Sequence, residues 1–171
     1  LTETTKLAAT AKVWGFLKYY HPQVAKGKYN WDNQLFIILK HLENVNTTTE
    51  LSELFINWID TLGKISCFKR NNTKNAFETN FNLTWLKDST LFTSDLFQRL
   101  KDIELHRHKG KHYYVNQSAV GNVVAINEID YPDFKWTNKQ LRLLELFRYW
   151  NTIEYFFPYK YQTDVKWDDV L

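Results

Sequence analysis

Two distant stretches of this chain are built to one plan, and that repetition limits the folds open to it. Lys12–Asp32 reads KVWGFLKYYHPQVAKGKYNWD, and Phe147–Leu171 reads FRYWNTIEYFFPYKYQTDVKWDDVL. When one is laid on the other, Trp14 meets Trp150, Tyr19 meets Tyr155, Pro22 meets Pro158, Trp31 meets Trp167 and Asp32 meets Asp168. The offset is 136 throughout (150 − 14, 167 − 31), with no gap, and Leu7/Leu143 and Leu35/Leu171 agree as well. The unit is an aromatic-faced helix, a proline stop, a short loop, and a Trp-Asp pair opening the next helix. The proline ends the helix because the residue before it is pushed out of the helical region. A Trp placed before an Asp N-cap suits a hydrophobic staple. The second copy stops at Leu171, about one helical turn in, which reads as a truncated repeat in a fragment of a longer chain.

The rest of the pattern is mainly α. Leu7, Ala11, Trp14 and Leu17 give an amphipathic helix over 3–20, capped by Thr2 or Thr4. A second helix covers 32–43 with Asp32 as its N-cap, and a third opens at Thr48 or Thr49 and stops at Gly63. Residues 64–82 read as a loop. A fourth helix is expected over 94–108, and the last over 137–156, begun by Thr137 or Asn138 and ended by Pro158. Between these two, β-formers at 112–115 and 123–126 flank an Asn/Ser/Gly turn, which predicts a small hairpin within 112–127. One helical domain over 1–171 accommodates all of this.

Composition excludes several functions. The net charge of +3 is mild and the signs are interspersed, so nothing favours nucleic acid or an anionic membrane. No apolar run is long enough for a transmembrane helix, and no signal peptide is visible. The single cysteine, Cys67, rules out an intrachain disulfide and a multi-cysteine zinc site.

The stretches KVWGFLKYYHPQVAKGKYNWD (Lys12–Asp32), WIDTLG (Trp58–Gly63) and LLELFRYWNTIEYFFPYKYQTDVKWDDVL (Leu143–Leu171) resemble the N-terminal, non-catalytic region of bacterial C-terminal-processing serine peptidases, the tail-specific family related to the tricorn core. The resemblance covers most of the chain and is weakest over 64–110. It implies a secreted, periplasmic or cell-envelope protein whose Ser-Lys catalytic domain and PDZ domain lie elsewhere in the polypeptide and are this region's partners, along with protein substrates. No catalytic residue is carried over. Ser52, Ser66, Ser89, Ser94 and Ser118 all lack the Gly-rich strand-to-helix turn that exposes a nucleophile beside oxyanion donors.

Several other constellations have a chemical reading and a plainer one. The rings Trp14, Phe16, Tyr19, Tyr20, Trp150, Tyr155, Phe156 and Phe157 form either a carbohydrate- or peptide-stacking platform or, at helical spacing and in two copies, a helix–helix core; the core is favoured. His106, His108 and His112 are ligand types for zinc or nickel, but cationic side chains also suit a helix C-terminus. Lys12, Lys18, Lys26 and Lys28 with Tyr19, Tyr20 and Tyr29 form a basic-aromatic set that no nucleic-acid motif supports. Cys67 with His21 or His41 is a weak thiol pair, better read as a structural thiol. Glu128 and Asp130 read as loop hydrogen bonding rather than acid/base chemistry. No catalytic, cofactor or metal residue is assigned. The sequence therefore points to a helical scaffold or interaction domain that is not itself an enzyme, with a ring-based binding module or a histidine metal site as the alternatives.

Overall fold

A computed structural model describes residues 1–63, 65 and 82–171. The fold is mainly helical with one two-stranded antiparallel hairpin. α1 spans Glu3–Tyr20, α2 Pro22–Ala25, α3 Trp31–Leu42, α4 Thr48–Thr61, α5 Ser94–Leu105 and α6 Lys139–Phe156. The strands are β1, Val115–Gln117, and β2, Val123–Ala125, with Asn116 opposite Val124. Short 3₁₀ turns lie at Thr84–Lys87, Lys160–Gln162 and Trp167–Val170.

Helix starts follow local chemistry. Thr2 accepts from the Thr5 N–H, Asn138 from Leu141 and Thr93 from Leu96. α4 opens with a capping box: Thr47 accepts from the Glu50 N–H, and the Glu50 carboxylate accepts from the Thr47 N–H. The cap is thus Thr47, one residue before the expected threonines. Pro22 ends α1 and also occupies the first turn of α2, where its missing N–H costs nothing. α5 ends at Leu105, short of the expected 108, with His106 as its C-cap. Most of the expected 64–82 loop lies outside the described residues.

The start of α3 corrects the staple. Asn30, not Asp32, is the N-cap, accepting from the Asn33 N–H; Trp31 and Asp32 are the first two helical residues. Trp31 turns back onto α1 instead. Its ring N–H donates to the Trp14 carbonyl at 3.2 Å, and the Trp14 ring N–H donates to the Trp31 carbonyl at 3.1 Å, with the two indoles stacked 6.3 Å apart. The second copy repeats this clasp: Trp167 donates to the Trp150 carbonyl at 3.2 Å, Trp150 to the Trp167 carbonyl at 3.1 Å, and the rings stack at 6.4 Å. A buried indole N–H must find an acceptor, and each clasp satisfies two of them while stacking the rings.

The two copies face each other across a pseudo-two-fold axis running along α1 and α6. Equivalent residues touch along both helices: Glu3 pairs with Lys139 at 2.6 Å, Gly15 abuts Asn151, and the Tyr19 and Tyr155 rings lie 5.1 Å apart. Contacts between unlike positions are reciprocal, as a two-fold requires. Lys12 pairs with Asp168 at 3.0 Å, and its counterpart Arg148 pairs with Asp32 at 2.6 Å. On the far side of the first copy, Trp58 of α4 stacks on Trp31 at 5.1 Å. Phe55, Phe92 and Trp85 continue the core toward α5.

Candidate functional site

The densest polar chemistry lies where the chain leaves β2 and crosses to α6. Asn127, with φ at 56°, donates its side-chain N–H to the Tyr113 carbonyl and turns the backbone so that Glu128 faces the helices. Glu128 accepts from Lys18 through one oxygen and pairs with Arg148 through the other at 3.2 Å. Arg148 continues to Asp32, which also accepts from the Tyr131 hydroxyl at 3.1 Å. α1, α3, the hairpin exit and α6 thus each contribute to one ionic cluster.

Lys18 is 1 % exposed, with its ammonium 4.8 Å from the faces of both Trp14 and Tyr114. Burial holds its pKa below the usual lysine range, against the pull of Glu128. Burial likewise raises Asp32, opposed by Arg148. Arg148 also pairs with Glu145 at 2.8 Å, so the two cations are met by three carboxylates and neither is left free for an anionic ligand. A cavity of about 270 Å³ beside it is lined by residues that include Tyr113, Tyr114, Asn127, Glu128 and Asp32. Gly27, at φ 74°, sits against the Tyr113 ring, where a Cβ would come within 2.3 Å of it. Lys18 is sealed by rings and is not a reachable base or nucleophile. The cluster acts as a polar latch between four segments.

The structure places the other candidate residues as follows. Trp14, Phe16, Tyr19, Tyr20 and Trp150 are buried, Tyr155 and Phe156 are half-buried, and Phe157 is exposed, so the principal indoles are core rather than an open platform. Among the histidines, His106 contacts Asp102 and His108 contacts the Lys111 carbonyl. His112 accepts from the Tyr114 N–H on Nδ1, which puts its proton on Nε2 facing the Tyr19 carbonyl. Burial lowers its pKa. Among the described residues no group of three His, Cys, Asp or Glu is placed to hold a metal ion. Lys12 and Lys18 point into ion pairs, so the basic-aromatic set does not assemble. Ser52 accepts from the Thr93 N–H and Ser118 from Asn122, and among the described residues no hydrogen bond links Ser52, Ser89, Ser94 or Ser118 to a lysine or histidine. Cys67 and Ser66 lie outside the described residues. Glu128 does more than the loop bonding expected of it, while Asp130 is exposed.

His21, named above as a possible partner of Cys67, has a surrounding of its own. It is fully buried, neither ring nitrogen has a hydrogen-bond partner among the described residues, and burial takes its pKa down to about 4. Its counterpart in the second copy is Phe157. The repeat alignment could not have flagged its burial, because Phe157 is itself exposed.

No protein-family model, curated protein or solved structure matches the chain. Among the described residues no helix is long and apolar enough to cross a membrane.

Proposed function

We propose that this chain is a non-catalytic scaffold and interaction domain of a C-terminal-processing serine-type peptidase exported to the periplasm or cell envelope. The observation that carries the scaffold reading is the pair of reciprocal Trp clasps. The motif residues that stand out in the sequence are spent on joining helices, in both copies. The buried ionic latch supports the same reading, since its cations are paired with carboxylates and its lysine is closed to substrate. The peptidase assignment rests on the motif resemblance over Lys12–Asp32, Trp58–Gly63 and Leu143–Leu171. In such a protein this domain would position the catalytic and PDZ domains or contact protein substrates.

A protease assay tests this reading. Incubated with an unfolded protein such as reduced casein, the purified chain should release no fragments. Turnover abolished by replacing any one of its five serines would overturn the proposal.

A further inference from the structure

The α1–α6 pair has two grooves related by its pseudo-two-fold axis. α3 fills the first, touching both helices. It enters at the Trp14–Trp31 clasp and ends with Lys6 Nζ donating to the Leu42 and Val45 carbonyls, each at 2.9 Å. The second groove is entered in the same way, by the Trp150–Trp167 clasp and the Lys12–Asp168 pair. Beyond that entrance the two copies differ in cover. Thr10 and Val13 on α1 are completely buried; their counterparts on α6, Leu146 and Tyr149, are 44 % and 63 % exposed. The uncovered face is thus the more apolar of the two, the reverse of what a solvent face requires. Val170, at the entrance, is exposed as well. Arg142 stands where Lys6 stands in the first copy, and its exposed guanidinium makes no hydrogen bond or ion pair among the described residues.

We propose that this second groove binds an amphipathic α-helix of the α3 type. Apolar side chains at the spacing of Leu35, Ile38, Leu39 and Leu42 would lie on Leu146 and Tyr149. The C-terminal carbonyls of the bound helix, which carry partial negative charge, would meet Arg142 as those of α3 meet Lys6. This charge match fixes the direction of the helix, and the first groove supplies the template for its contacts. The inference rests on the repeat geometry alone and does not require the peptidase resemblance.

The probe is a fluorescein-labelled, helix-stapled peptide with the sequence Asn33–Val45, titrated with the full chain and followed by anisotropy. Saturable binding is expected, weakened about tenfold or more by Leu146→Glu and by Tyr149→Ala, and several-fold by Arg142→Glu. All three positions are solvent-exposed, so these variants should keep the parent's circular dichroism and melting temperature. Absence of saturable binding up to millimolar chain would overturn the proposal. So would equal affinity for a scrambled peptide, or equal binding by all three variants. Self-association of the chain in sedimentation, abolished by Leu146→Glu, would assign the groove to a second copy and overturn it too.

Discussion

Gly15 and Asn151 hold equivalent positions and meet on the pseudo-two-fold axis, where there is room for one side chain only. The Asn151 amide nitrogen donates to the Ala11 carbonyl at 3.0 Å and to the Phe147 carbonyl at 2.9 Å, two acceptors that are themselves equivalent. A Cβ on Gly15 would lie 1.8 Å from Asn151 Oδ1. Gly15→Ala should therefore destabilise the chain by about 2–3 kcal/mol in urea unfolding, the cost of overpacking a buried contact. Adding Asn151→Ala should recover part of that loss although each substitution alone is harmful, a coupling that a double-mutant cycle reads directly. His21 gives a second prediction at this scale. Its folded pKa is depressed to about 4, so the unfolded chain takes up the proton first as pH falls. The stability its neutral form contributes is present above pH 6.5 and is lost between there and about 4, amounting to about 3 kcal/mol at the lower end. His21→Phe, borrowing the residue of the second copy, removes this one contribution. The stability difference between variant and parent should grow by that amount from pH 7 to pH 4; a constant difference would show that His21 does not titrate as described.

At the scale of elements, the clasp joins a helix to the start of the next across 17 residues, and the two clasps differ in what lies outside them. Trp31 is sandwiched between Trp14 and Trp58, whereas Trp167 is half-buried, stacked on Trp150 with the Tyr149 ring edge-on beside it. Trp31→Phe removes an indole N–H bond and part of a buried ring packed between Trp14 and Trp58, and should cost about 2–3 kcal/mol. Trp167→Phe removes the same bond and ring area at a half-buried site, where water replaces part of what is lost, and should cost about 1 kcal/mol or less. Thermal unfolding of the two variants checks the order; equal losses would mean that the clasp matters but its cover does not. Much of this architecture was legible in the sequence, because Trp, Pro and Trp-Asp recur at one offset and helical periodicity is local. The staple was misread for a physical reason: a Trp at a helix start can pack forward on its own helix or back on the previous one, and spacing alone does not distinguish them. The polar latch was not legible. Lys18 and Glu128 are 110 residues apart, and no local pattern joins them. The Gly15/Asn151 pair counts as a mismatch in the alignment, yet the axis demands that these two residues differ.

At the scale of the whole molecule, α1 and α6 with their clasps form an isologous pair within one chain, with two reciprocal ion pairs in unlike surroundings. Lys12–Asp168 lies toward the uncovered copy, with side chains 19 % and 39 % exposed. Arg148–Asp32 lies under the hairpin exit, with side chains 12 % and 5 % exposed, and Arg148 also holds Glu128. Symmetry makes the two pairs geometrically alike, while solvent makes them energetically different. Removing Lys12 returns Asp168 to water, so Lys12→Ala should cost about 1 kcal/mol or less and the cost should fade in high salt, because a half-exposed pair is screened. Removing Arg148 strands a buried carboxylate, so Arg148→Ala should cost about 3–5 kcal/mol with little dependence on salt. Urea titrations of both variants at low and at molar salt separate the two behaviours. Similar costs, or a salt-sensitive Arg148 effect, would mean that water reaches the latch and that the hairpin exit does not seal it. With the predicted result, the asymmetry between two copies of one motif is set by what covers each of them, and the symmetric frame beneath is common to both.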